Sequence, residues 1–213
     1  ATAADAPPRQ ACAGLPAVQV QAAGHDDATL ACDGAARALR FLAAAGFVMP
    51  EAVHIELRDE LPGDMRGQAV GCYLPGLRRV FLLDYPAFAA TGHWFGQPVQ
   101  PELYRAAASH EVAHAVAACN AAAASPPLAA NEYVAYVTMF ATMETDLRRR
   151  ILAAFPGPGL ANALQIHPLV YLQDPLQFAA DAWRHYLRRR DGAAWLRDLV
   201  AGRIVQDLPA EGP

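Results

Sequence analysis

Alternating apolar and polar residues mark two short segments in the first third of the chain. Residues 17–21 and 53–57 alternate in this way, as half-buried β-strands do. Between them the sequence favours a helix that begins near Asp26 and runs to about Ala45, just before a glycine. Two further strand-like runs flank a Pro-Gly turn and predict a β-hairpin, residues 68–74 and 79–83.

Beyond residue 100 the pattern becomes helical throughout. Residues 85–100 are rich in glycine, proline and aromatic side chains and predict a loop. Four helices are expected after that loop, over residues 101–120, 129–154, 175–190 and 193–201. The change from mixed strands and helix to helix alone predicts an α+β fold with two lobes in one compact domain, residues 1–125 and 126–213.

The 101–120 helix contains the segment His110-Glu111-Val112-Ala113-His114. Side chains four residues apart lie one above the other on a helix, so both imidazoles can reach one Zn²⁺. Glu111 points about a quarter-turn away, where it can act on a water beside the ion without binding the ion itself. The alternative is a buried helix whose two histidines only hydrogen-bond to their neighbours.

The third ligand narrows this interpretation, since a catalytic zinc usually has three protein ligands and one water. One known extension places a glycine and a third histidine soon after the pair, but Ala117 and Asn120 stand there. A second known pattern puts a glutamate on the next helix, where Asn131-Glu132 follows a proline-containing loop. The alternative for Glu132 is an ordinary carboxylate in a first helical turn.

Over about residues 68–136 the chain resembles the gluzincin metallopeptidases, the thermolysin-like branch of the zincins. The resemblance implies Glu111 as general base in the cleavage of a peptide or protein substrate, and three Zn²⁺ ligands, His110, His114 and Glu132. It also implies a zincin-like fold, in which a helix packs on a small mixed sheet with an antiparallel edge hairpin, and a zinc cleft separates these elements from a helical lobe. Tyr136 departs from the pattern, because thermolysin-like enzymes often carry there an aspartate that supports a ligand histidine.

The resemblance further implies where a substrate binds. The outer strand of the zincin hairpin holds an extended substrate by strand addition, which corresponds here to Val70, Gly71, Cys72 and Tyr73. Gly71 would leave room for the substrate backbone, and the alternative is an ordinary hairpin with a glycine bulge. Gluzincins commonly add an oxyanion donor from the helical lobe. We favour His185 as this donor, because Asp181 could orient it; the alternative is that His185 is simply an exposed helical histidine. The other candidates for the donor are Tyr133, Tyr136, His167, Tyr171 and Tyr186.

Charge and cysteine content bear on location and partners. The net charge of −4 argues against a nucleic-acid partner. The sequence contains no apolar run of about 18 residues, so no membrane span is predicted. Of three possible disulfide pairings, Cys12–Cys32 with Cys72–Cys119 is plausible, and the alternative is buried free thiols in a cytosolic protein. We expect an exported bacterial protein, periplasmic or secreted. The chain begins at Ala1 without a methionine, so we expect a processed or trimmed form in which any signal peptide would not be seen.

Two hypotheses remain beside the hydrolase. The chain could be a zincin-fold binding or structural module whose zinc site is inactive or structural, or a helical protein with a chance match to the motif. The presence of Glu111 favours the hydrolase, since a structural zinc has no use for a base. Cleavage preference, endo- or exopeptidase action and oligomeric state are left open at this point.

Overall fold

The computed structural model describes residues 7, 9–63, 69–123 and 125–204. Within them, five strands form one mixed sheet: β1 Arg9–Cys12, β2 Leu15–Gln21, β3 Val53–Arg58, β4 Gly71–Leu74 and β5 Arg79–Leu83. The order across the sheet is β1-β2-β3-β5-β4, with β2, β3 and β5 parallel and the two edge strands antiparallel to their neighbours. A short ribbon pairs β6 His93–Trp94 with β7 Gln97–Pro98.

Eight α-helices accompany the sheet in the same part of the chain: α1 His25–Ala44, α2 Tyr85–Ala90, α3 Pro101–Asn120, α4 Leu128–Thr142, α5 Thr145–Ala154, α6 Pro168–Gln173, α7 Pro175–Leu187 and α8 Gly192–Val200. The predicted α+β class, with a mixed sheet followed by helices, is confirmed. None of the described helices is both long and apolar enough to cross a membrane.

One face of the sheet packs against α1 and α3. The apolar residues of the alternating segments point to this face, so that Val18, Val20 and Ile55 are all buried. The helices α4, α7 and α8 then pack behind α3 and continue the same core. Because α3 lies between the sheet and the later helices, its side chains can face either the sheet or those helices.

The crossing of α1 and α3 fixes the position of α3. A Cβ at Gly34 would lie 2.4 Å from the carbonyl oxygen of Arg105, so only glycine permits this close approach. The Ser109 hydroxyl also donates a 2.8 Å hydrogen bond to the Gly34 carbonyl. The helix with the His110–His114 segment is therefore anchored one residue before its first histidine.

Residues 85–100 and 129–154 differ from their predictions. Residues 85–100 are not a plain loop, because they contain α2 and the β6–β7 ribbon. Asp84 caps α2, and its carboxylate accepts a 2.8 Å hydrogen bond from the Ala87 N–H. The predicted 129–154 helix is divided into α4 and α5 at Met143 and Glu144, whose ψ angles of 149° and 138° are not helical. The Glu144 N–H donates to the Glu102 carboxylate at 3.0 Å instead. The elements β1 and α6 are short and were not expected, and Gln68 of the predicted hairpin lies outside the described residues.

Only one of the two expected disulfides forms. Cys12 and Cys32 are bonded and join β1 to α1, as predicted. The predicted Cys72–Cys119 pair is wrong, since both thiols are free. Tyr73 rather than Cys72 lies near Cys119, and successive residues of a strand point to opposite faces, so Cys72 is directed away from a partner.

Candidate metal centre

The two histidines of α3 converge at the cavity beside β4. The Nε2 atoms of His110 and His114 lie 3.1 Å apart, and both side chains are buried. Their rings meet edge to face with centroids 4.7 Å apart. This is the convergence that the spacing of four residues predicts, because one helical face carries both side chains.

Glu132 approaches the same point from α4. One carboxylate oxygen lies 3.6 Å from Nε2 of His110, and the other lies 3.6 Å from Nε2 of His114. Tetrahedral zinc with bonds of about 2.0–2.1 Å separates neighbouring ligand atoms by roughly 3.3 Å, so these spacings fit one ion. The structure thus brings together the three predicted ligands, hereafter the triad, whose donor atoms all lie within 4.8 Å of one another.

Electrostatics favours a cation at the triad. Burial, followed by the charge of Glu132, raises the pKa of Glu111 well above its ordinary value, and burial also raises the pKa of Glu132. Burial, followed by His114, lowers the pKa of His110 well below its ordinary value. No lysine or arginine lines the cavity within the described ranges. A divalent cation would supply the positive charge that stabilises the ionised carboxylates of Glu111 and Glu132, which no basic side chain in the cavity provides.

Aromatic side chains surround the triad. The Nδ1 atoms of His110 and His114 are buried without a hydrogen-bond partner among the described residues. The Tyr136 ring lies against His110 instead, with centroids 4.4 Å apart. The Tyr171 hydroxyl interacts with both Tyr136 and Glu132, and these interactions contribute to the shifted pKa values of all three groups. Packing and this chain of hydroxyls therefore hold the triad, where the resemblance would place an aspartate.

Glu111 turns from α3 towards the edge strand. Its side chain is buried, and one carboxyl oxygen has no hydrogen-bond partner among the described residues. The space that the missing side chain of Gly71 leaves is filled by Glu111, whose Cγ lies 2.6 Å from where a Cβ would stand. The contact with Glu111 therefore gives a second reason for a glycine at this position, beside the predicted one, room for a substrate backbone.

An open cavity of about 790 Å³ surrounds the triad and Glu111. The four residues predicted to bind substrate line its sheet side, Val70, Gly71, Cys72 and Tyr73. Burial, followed by the charge of Glu111, raises the pKa of the Cys72 thiol to about 11, so Cys72 stays protonated and is a poor nucleophile at neutral pH. Tyr171 and Leu176 line the helical side, and the β6–β7 ribbon closes one end.

The structure does not bring His185 to this cavity. Its side chain is completely buried, and its Nδ1 atom shares a 2.7 Å hydrogen bond with the Tyr133 hydroxyl. Asp181 pairs with Arg184 at 3.1 Å and does not orient His185. Two of the other candidates, Tyr136 and Tyr171, do line the cavity. Sequence reasoning gave Tyr171 no preference because α6, which carries it, was not predicted.

Comparison with known proteins gives a family but no activity. The chain belongs to a family of unknown function, DUF6639, which it matches over residues 18–209, a range that includes the triad and Glu111. No curated protein and no solved structure matches the chain. A function has to be argued from the site itself.

Proposed function

We propose that this DUF6639 family member is a zinc-dependent hydrolase that cleaves peptide bonds in peptide or protein substrates. The observation that carries the proposal is the convergence of the triad beside the buried carboxyl of Glu111 in an open cavity. Two imidazoles and one carboxylate are a common ligand set of catalytic zinc, whereas structural zinc is usually closed by four protein ligands. Three donors leave one coordination position for water or substrate.

Glu111 is the proposed general base. Bound at the triad, Zn²⁺ would lower the pKa of a coordinated water from about 15.7 to about 7 and polarise the substrate carbonyl. Glu111 removes a proton from the attacking water and delivers it to the leaving amine. Its buried position favours holding that proton between the two steps, because water cannot stabilise the ionised carboxylate.

The open edge of β4 is the proposed binding site for the substrate backbone. The Leu83 N–H donates a 3.0 Å hydrogen bond to the Val70 carbonyl, so Val70 faces β5. Along an antiparallel ladder the residues alternate in direction, so Gly71 and Tyr73 turn their N–H and C=O groups to the open edge. An extended peptide can pair with these groups as one further strand.

Tyr171 replaces His185 as the proposed oxyanion donor. Burial raises the pKa of Tyr171, so the phenol keeps its proton at neutral pH and can donate it in a hydrogen bond. Its hydroxyl lies beside Glu132, at the helical wall of the cavity. Rotation about the C–O bond would redirect the donor from Glu132 to a negatively charged oxygen of the reacting carbonyl.

The second candidate is a binding or structural module with an inactive or structural zinc. The observation that favours it is the absence of a hydrogen-bond partner for either ligand Nδ1 among the described residues, since such a partner usually orients a metal-binding histidine and its loss lowers activity or metal affinity. This candidate predicts bound metal with no turnover. The Cys12–Cys32 disulfide supports, for either candidate, an exported protein that folds in an oxidising compartment.

The test combines metal analysis with a peptidase assay on the purified chain. We expect one Zn²⁺ per chain after reconstitution, and cleavage of a peptide library that stops on chelation and returns with zinc. Glu111→Gln should keep the zinc and lose turnover, while Glu51→Gln, at an exposed glutamate outside the cavity, should keep both. Absence of zinc binding, or full turnover by Glu111→Gln, would overturn the proposal.

A further inference from the structure

Gly71 of β4 and Glu111 of α3 occupy adjoining space. A Cβ built on Gly71 would lie 2.6 Å from Cγ, 2.9 Å from Cδ and 2.9 Å from Oε1 of Glu111. These separations are well inside van der Waals contact, so no larger residue fits unless strand or side chain moves. The φ angle of Gly71 lies outside the left-handed region, so packing rather than backbone conformation requires the glycine.

Neither partner can easily move away. Glu111 is buried, although it lines the cavity, and the atom nearest to the missing Cβ is Cγ, in the middle of the side chain rather than at its flexible end. The strand β4 is held to β5 by its antiparallel ladder, which the hydrogen bond between Leu83 and Val70 extends by one residue. A side chain at position 71 would therefore press directly on Glu111.

We propose that Gly71 is a positioning residue, which allows β4 to hold the Glu111 carboxyl in its reactive place. This inference rests on the proposed hydrolase function. Gly71 also turns its backbone N–H and C=O to the open edge, where an extended substrate would pair. One residue thus fixes both the register of the substrate strand and the location of the base, so that bound substrate meets the carboxylate without a separate alignment step.

The activity test uses Gly71→Ala. This change keeps the backbone groups that pair with substrate but displaces Glu111, so we expect little change in KM and a fall in kcat of about 100-fold, as for a catalytic group misplaced by about 1 Å. Zinc stoichiometry should stay at the wild-type value. The matched control is Gly76→Ala, because a Cβ at Gly76 meets nothing within 4 Å and its φ is ordinary; its activity should be unchanged.

A stability cycle tests the contact without any activity. In the metal-free protein, Gly71→Ala should lower Tm by at least about 3 °C, a typical effect of overpacking in a chain of this size. In the Glu111→Ala background the clashing atoms are gone, so the same change should lower Tm far less. Recovery of folding in the double variant, if Gly71→Ala alone does not fold, supports the same contact.

The outcomes separate the two proposals. Equal losses of Tm in both backgrounds, or an unchanged kcat in Gly71→Ala, would overturn the positioning role while the hydrolase function stands. Wild-type protein that binds zinc without hydrolysing any peptide would overturn the function. In that case the stability cycle would still measure the coupling between Gly71 and Glu111.

Discussion

The ring of Tyr136 lies against the imidazole of His110, with planes inclined by 51° and centroids 4.4 Å apart. Thermolysin-like enzymes often carry an aspartate at the corresponding place, which would accept a hydrogen bond from a ligand histidine. An aromatic ring cannot accept that bond in the same way, but it excludes water and limits rotation of the imidazole. Tyr136 therefore orients a triad residue by packing.

Replacing Tyr136 by alanine should weaken zinc binding. Loss of a residue that orients a ligand typically costs about 10- to 100-fold in metal affinity, and we expect that range for Tyr136→Ala. Tyr136→Phe keeps the ring and removes only the hydroxyl that interacts with Tyr171, so its loss of affinity should be smaller. Competition with a chromophoric zinc chelator measures both affinities. Equal losses in the two variants would assign the effect to the hydroxyl instead.

Tyr171→Phe should separate two roles of the Tyr171 hydroxyl. If the hydroxyl stabilises the oxyanion, kcat should fall by about 100- to 1000-fold while zinc affinity is kept. If it only orients Glu132, zinc affinity should fall as well. Steady-state kinetics and zinc competition on the same preparation decide the matter. Tyr186→Phe is the control, because Tyr186 does not line the cavity and the variant should behave like wild type.

Acid should destabilise the fold through His185. Burial, together with the charges of Arg189 and Arg188, lowers the pKa of His185 to about 4, whereas histidine in an unfolded chain titrates near 6.5. Between these values the unfolded chain binds a proton that the folded chain does not. The contribution of neutral His185 to the free energy of unfolding is thus complete above pH 6.5. It is lost as the pH falls to about 4, which lowers the free energy of unfolding by up to about 3 kcal/mol.

Urea denaturation of wild type and His185→Asn across this pH range measures the effect. Asparagine places a polar group near the position of the Nδ1 atom that bonds Tyr133, but it does not titrate. The free energy of unfolding should therefore fall less steeply with acid in His185→Asn than in wild type. Identical slopes would mean that His185 titrates normally in the fold.

Removal of the Cys12–Cys32 disulfide should lower stability. The bond links residues 20 apart in sequence, and closing a loop of this length stabilises a fold by about 3 kcal/mol. The double variant Cys12→Ser with Cys32→Ser should lose about that amount in urea denaturation. Cys119→Ser removes an exposed free thiol and should change stability by less than about 0.5 kcal/mol. A similar loss in both would argue against the disulfide as the cause.

The sequence by itself determined the features that depend on local geometry. The start of α3 follows from Pro101, since proline suits a first helical turn. The convergence of His110 and His114 follows from helical spacing, which needs only residues four apart. The alternating segments gave β2 and β3 in the same way. Glu132 was named as third ligand only through resemblance to a family, because no local rule fixes the path of the loop before α4.

Only the tertiary structure decided which distant side chains meet. Cys72 was predicted to pair with Cys119, and His185 to face the cleft, because a sequence pattern carries no distance between separate elements. The short helix α6, which carries Tyr171 to Glu132, has too few residues for a clear periodicity. The contact of Gly71 with Glu111 depends on how closely β4 approaches α3, and such an approach is set by packing of the whole core.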